Sequence, residues 1–76
     1  MSQRLPSLTS AELIRALEKA GFHIVRQTGS HVIMHKKGLL RPIPIPKHTT
    51  KELKRSLQNQ IIKEAGFTIE EFGKFL

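Results

Sequence analysis

Four histidines, His23, His31, His35 and His48, and six glutamates are the side chains best suited to moving protons in this 76-residue chain. It contains no Asp and no Cys. A Ser-His-Asp triad is therefore impossible, and a carboxylate-rich two-metal nuclease site is out of keeping with the composition. Disulfides, thiolate nucleophiles and Cys-based zinc sites are removed together. Glu12, Glu52 and Glu71 each stand three residues after a threonine (Thr9, Thr49, Thr68), the spacing of a helix capping box, which accounts for them without catalysis. Glu18, Glu64 and Glu70 fall on expected helix surfaces. The histidines remain. His31 and His35 share one face of an extended strand because their separation is even. With His48 they would make part of a metal site, but without Cys or Asp a complete ligand set is doubtful, and no metal or other cofactor is expected. A lone histidine is ordinarily structural. His31 differs in following Gly29-Ser30 at the mouth of a turn, where Gly admits a phosphate backbone closely and the Ser hydroxyl can donate to it.

The charge points the same way. Thirteen Lys and Arg against six acids leave a net charge of +7. Between residues 26 and 55 the basic residues Arg26, Lys36, Lys37, Arg41, Lys47, Lys51, Lys54 and Arg55 are opposed by Glu52 alone. A solvated surface is the plain reading of such a stretch. The missing counter-charge favours contact with a polyanion. Trp and Tyr are absent, and Phe22, Phe67 and Phe72 are explained by packing at helix ends, so no platform for stacking single-stranded bases is evident. Backbone-directed RNA binding fits better, and its expected contacts are Gly29, Ser30, Arg26, Lys36, Lys37, Arg41, Lys47, His48, Lys51 and Lys54.

The elements that must position these residues follow from local chemistry. Thr9 and Glu12 cap a helix, with Leu8 and Leu13 as its hydrophobic staple and Leu13, Ile14, Leu17 and Ala20 as its apolar stripe. Gly21 ends it in the left-handed conformation, and Phe22 folds back on Leu17. Residues 22–27, 31–35 and 39–45 read as three strands of an antiparallel meander. Pro42, Pro44 and Pro46 recur every second residue, so their missing donors lie along one edge and make the third strand an edge strand. An extended polyproline-like loop is the alternative for that segment. Thr49 and Glu52 cap a second helix carrying Leu53, Leu57, Ile61 and Ala65, ended by Gly66-Phe67. Thr68 and Glu71 open a short third helix through Phe75. The result is one α+β domain over residues 1–76, with helices on one face of a three-stranded sheet. No apolar run approaches the roughly 20 residues of a membrane span, and a cytoplasmic location is expected.

The segment RLPSLTSAELIRALEKAGFHIVRQTGSHVIM, followed by IPIPKHTTKELKRSLQNQIIKEAGFTIEEF, resembles the HicA toxin family, also called YcfA-like. Its marks are Leu-Pro near the start, KAGF at a helix end, the RQTGSH turn, the proline-bearing strand with its histidine, and KELK. Many members have Pro-Gly after KELK, where this chain continues Arg55-Ser56, and the strand-end histidine is often followed by Gly rather than Thr49. The resemblance implies a double-stranded-RNA-binding-domain-like α-β-β-β-α fold. It also implies the activity of an mRNA interferase, a metal-independent endoribonuclease of a bacterial toxin–antitoxin system, with His31 as the catalytic histidine. The implied partners are mRNA and a HicB-type antitoxin that covers the active site. One histidine can suffice because RNA carries its own nucleophile, the 2′-OH. Two readings compete with this: a non-catalytic basic RNA-binding module of the same fold, and an inactive adaptor for the antitoxin.

Overall fold

In the computed structural model, which describes residues 5–47 and 51–76, the chemistry around Thr9 opens α1 (Ser10–Lys19). The Thr9 hydroxyl accepts the Glu12 N–H at 3.2 Å, and the Glu12 carboxylate accepts the Thr9 N–H at 2.9 Å. At the far end Gly21 has φ 103°, and the Phe22 N–H bonds the Leu17 carbonyl at 2.9 Å, closing a Schellman motif. The chain continues through β1 (His23–Gln27), β2 (His31–His35), β3 (Ile43–Pro46), α2 (Arg55–Glu64) and α3 (Ile69–Gly73). The strands form one antiparallel sheet in the order β1-β2-β3. This is the expected α+β architecture: α-β-β-β-α, followed by a short C-terminal helix.

The core lies between one sheet face and the helices. Val32 and Met34 of β2 and Ile43 and Ile45 of β3 are buried against Leu13 and Leu17 of α1, Ile61 and Ile62 of α2, and Phe72 of α3. The other face of β2, with His31, Ile33 and His35, is half-buried, and all of β1 is exposed. Prolines 44 and 46 lie on the free edge, as the alternation predicted, while the Ile43 and Ile45 side chains enter the core. Among the described residues no helix is long and apolar enough to cross a membrane.

The two largest departures from expectation are at the starts of the third strand and second helix; β1 also begins one residue late, at His23, and α3 ends at Gly73 rather than Phe75. The third strand starts at Ile43 rather than at residue 39, because 39–42 form a bend in which Leu40 is exposed. The second helix starts at Arg55, several residues late. Glu52 instead forms an isolated antiparallel bridge with Thr9, and the Leu53 N–H bonds the Leu8 carbonyl at 2.8 Å. Residues needed for the first helical turn are thus drawn into extended pairing with the segment before α1. The expected partner of Glu52 in a capping box, Thr49, lies outside the described residues. The N-cap residue of α2, Lys54, makes no side-chain cap hydrogen bond.

That N-terminal segment is further tied down by α2. Gln58 is fully buried, its carbonyl oxygen accepting the Leu8 N–H at 2.9 Å and its amide donating to the Pro6 carbonyl at 3.1 Å. Arg55 donates to the Leu5 carbonyl and the Ser7 hydroxyl. The tie brings the starts of α1 and α2 side by side. Gly66, at φ 91°, ends α2 as Gly21 ends α1, and the capping box of Thr68 and Glu71 opens α3 as expected.

Candidate active site

Thr28 builds the turn that carries Gly29, Ser30 and His31. Its hydroxyl accepts the N–H of His31 at 2.9 Å and of Ser30 at 3.3 Å, and its own N–H bonds the His31 carbonyl at 2.8 Å. Across the sheet His31 faces Pro46, and the Lys47 N–H bonds the Ser30 carbonyl at 2.8 Å. The Ser10 hydroxyl donates to the Pro46 carbonyl, pinning the start of α1 against this end of the sheet. Since Glu52 bridges Thr9, the segment leading into α2 arrives here too. One end of the domain therefore gathers the His31 turn, the end of β3 and the starts of both longer helices.

The imidazole of His31 is half-buried, and its Nδ1 lies 2.9 Å from the Ser30 hydroxyl oxygen. No described residue occupies hydrogen-bond range of Nε2. Gly29 has no positive φ, and a Cβ built there would meet nothing within 4 Å. Neither backbone strain nor an internal neighbour requires glycine at this position. The bare backbone leaves room for a group from outside the molecule.

Arg26 reaches the His31 face by a specific irregularity. His23 pairs with His35 and Ile24 with Met34, but Arg26 then pairs with Ile33, so the chain bulges at Val25. Directly opposed residues share a face, and without the bulge Arg26 would lie on the helix side. Ile33 is two residues from His31, about 7 Å along the strand. With Arg26, the cations Lys47, Lys51 and Lys54 belong to this end, and the acids there are Glu12, engaged in its cap, and Glu52. The helix starts add the positive end of two backbone dipoles.

The other expected contacts lie elsewhere. Lys36, Lys37 and Arg41 flank the far end of β2, roughly 16 Å from His31 at strand spacing. The Lys36 ammonium is already engaged, 5.9 Å from the Phe22 ring centre and 5.5 Å from that of Phe67. It sits where α1 and α2 end, suited both to the ring faces and to the negative ends of the helix dipoles. His35 Nε2 is 2.9 Å from the Leu39 carbonyl, and its ring meets that of His23 edge to face at 6.2 Å. His35 thus anchors the β2–β3 connection. Roughly 13 Å of strand separates it from His31, too far for both to bind one ion at about 2 Å. His48, the remaining candidate for both roles, lies outside the described residues. Among the described residues no three His, Asp or Glu side chains come together as a metal-ligand set.

The family model described as HicA toxin of bacterial toxin-antitoxin matches residues 10–67. The chain belongs to the HicA toxin family. No curated protein matches the sequence. The match spans α1 through the end of α2 and includes the whole His31 turn, whereas α3 lies beyond it. Membership makes the protein the toxin of a toxin–antitoxin pair and implies an antitoxin as its partner. In this HicA chain, sequence reasoning missed Thr28, whose hydroxyl holds the turn. The signal was present: a threonine two and three residues ahead of the N–H groups it accepts is the spacing of a side-chain turn.

Proposed function

We propose that this HicA toxin is a metal-independent endoribonuclease that cleaves mRNA with His31 and is neutralised by a HicB-type antitoxin covering the same end of the domain. The observation that carries this reading is the His31 ring itself: Nδ1 is held by Ser30, and Nε2 meets no hydrogen-bond partner among the described residues. Nε2 takes the proton of the 2′-OH, and the 2′ oxygen attacks the adjacent phosphorus. A new P–O bond forms while the bond to the 5′ oxygen breaks. The leaving oxygen takes a proton from the imidazolium or from water. The products are a 2′,3′-cyclic phosphate and a 5′-hydroxyl. Arg26, Lys47, Lys51 and Lys54 neutralise the phosphates, and the bare backbone at Gly29 lets the strand approach. Because the substrate supplies the nucleophile, general acid–base help of about 10²–10⁴-fold is the main chemical contribution, so the enzyme is modest.

The purified protein is expected to cut RNA in excess EDTA and to leave DNA of the same sequence intact, since DNA lacks the 2′-OH. Activity that disappears on chelation and returns with a divalent ion overturns the metal-free mechanism. Tight RNA binding without cleavage favours the non-catalytic module.

The cationic surface yields a second expectation. Replacing Lys51 and Lys54 together by Glu should weaken RNA binding and reduce the slope of log K against log salt by about 1.4, two contacts to a single strand. Lys37→Glu, at the other end of the sheet, should leave that slope unchanged. An equal loss from Lys37→Glu would mean that the bound strand crosses the whole sheet.

A further inference from the structure

We propose that Ser30 is a positioning residue for His31, setting which ring nitrogen carries the proton and so making Nε2 the reacting atom. This rests on the catalytic reading of His31. The distance of 2.9 Å between the Ser30 hydroxyl oxygen and Nδ1 is a full hydrogen bond. It can run in two directions, and the chemistry selects one. If the hydroxyl donates to Nδ1, Nε2 holds the ring proton and cannot accept another. The hydroxyl would then have to turn away as soon as the ring became charged. If Nδ1–H donates to the hydroxyl, Nε2 keeps its lone pair, and the same bond survives unchanged when Nε2 takes a proton. Only the second arrangement serves the base before and after transfer, without reorganisation. The partner of one ring nitrogen thereby decides the role of the other, as in metal-binding and catalytic histidines generally.

The rest of the turn is built to hold that hydroxyl in place. Ser30 is restrained at both backbone groups, its N–H by the Thr28 hydroxyl at 3.3 Å and its carbonyl by the Lys47 N–H at 2.8 Å. The His31 N–H is fixed to the same Thr28 hydroxyl at 2.9 Å. These bonds fix the two backbones and hence the relative placement of the two Cα–Cβ bonds, while the side chains themselves are joined by the Ser30–Nδ1 contact. Glu52, which bridges Thr9 at this end of the domain, is exposed, and among the described residues the ring's hydrogen-bond partner is the serine hydroxyl rather than a carboxylate. The usual carboxylate orienter of a catalytic histidine is here a hydroxyl. A neutral partner fixes the tautomer without adding negative charge beside a phosphate.

The test uses the full chain as wild type, Ser30→Ala, Ser30→Thr and His31→Ala. Two-bond ¹H–¹⁵N NMR of the imidazoles reads the tautomer directly and needs no activity. Neutral His31 should be mainly Nδ1–H in wild type and Ser30→Thr, and mainly Nε2–H in Ser30→Ala. In cleavage, Ser30→Ala should lose up to about tenfold in kcat, the size of one neutral hydrogen bond, with KM unchanged. Ser30→Thr should recover most of that loss. A rise in KM at constant kcat would assign Ser30 to phosphate contact and overturn the proposal. An Nε2–H tautomer in wild type would also overturn it. If His31→Ala cuts as well as wild type, the catalytic reading fails while the tautomer still reports whether Ser30 orients the ring. If His31→Ala is dead and Ser30→Ala matches wild type in both tautomer and kcat, the positioning role alone fails.

Discussion

His31→Ala is expected to lose roughly 10²–10⁴-fold in RNA cleavage while melting and binding RNA as the wild type does. The three readouts separate because the ring contributes little to anything else. It lies on the half-buried outer face of β2, opposite a proline, and its described side-chain hydrogen bond is with the exposed Ser30 hydroxyl. Substitutions at such surfaces usually change stability by less than about 0.5 kcal/mol. The backbone bonds that shape the turn run through Thr28 and are kept in the alanine variant. Binding should survive because, on the proposed function, Arg26, Lys47, Lys51 and Lys54 supply the electrostatic attraction. Melting temperature, filter binding and cleavage of a labelled RNA, each measured on both proteins, decide the matter. Unchanged cleavage would remove His31 from the mechanism. A large fall in melting temperature would make it a structural histidine.

Phe72→Ala should cost the most stability of any single truncation, about 3–5 kcal/mol. Phe72 is fully buried and is the largest side chain of the core to be so. Its ring lies 5.9 Å from that of Phe67 and 6.1 Å from that of Phe75, in tilted contacts. Helix α3 has only five residues, far too few to persist in water without packing. Removing its one buried side chain frees the helix and loosens Phe67, which also carries the Lys36 ammonium. For a domain of this size, total stability is about 4–11 kcal/mol, so the loss removes between roughly a quarter and all of it. Thermal melts should show a fall of more than about 12 °C. A loss below 1 kcal/mol would mean that α3 does not complete the core.

What could be read from the sequence was whatever depends on neighbours in the chain. The capping boxes at Thr9 and Thr68 and the glycine stops at Gly21 and Gly66 involve residues within five positions of one another, and each is present. The alternation of prolines sufficed to make β3 an edge. The start of α2 was missed because its first turn competes with pairing to Leu8 and Thr9, more than forty positions away. Gln58 reads as a surface residue until Pro6 and Leu8 are brought to it. In the site, Gly-Ser before His31 and the family resemblance marked the turn. The cationic stretch was legible only as a total. The contact of Lys36 with the Phe22 and Phe67 rings was not legible because it depends on two helix ends meeting. No glycine warned of the bulge that turns Arg26 outward.

The tie between residues 5–8 and α2 also bears on when the domain can become whole during its synthesis. Its hydrogen bonds join positions 50 and 52 residues apart, from Leu8 and Pro6 to Gln58. Such a long closure cannot form until most of the chain has left the ribosome, whereas the strands carrying His31 are complete many residues earlier. Translation adds about 5–20 residues per second, so seconds pass between the emergence of the turn and that of Gln58. During that interval the nascent chain holds the His31 turn and the start of α1 without the start of α2 and the lysines that later surround them. The order of the chain thus delays assembly of the cationic surface until α2 has been made.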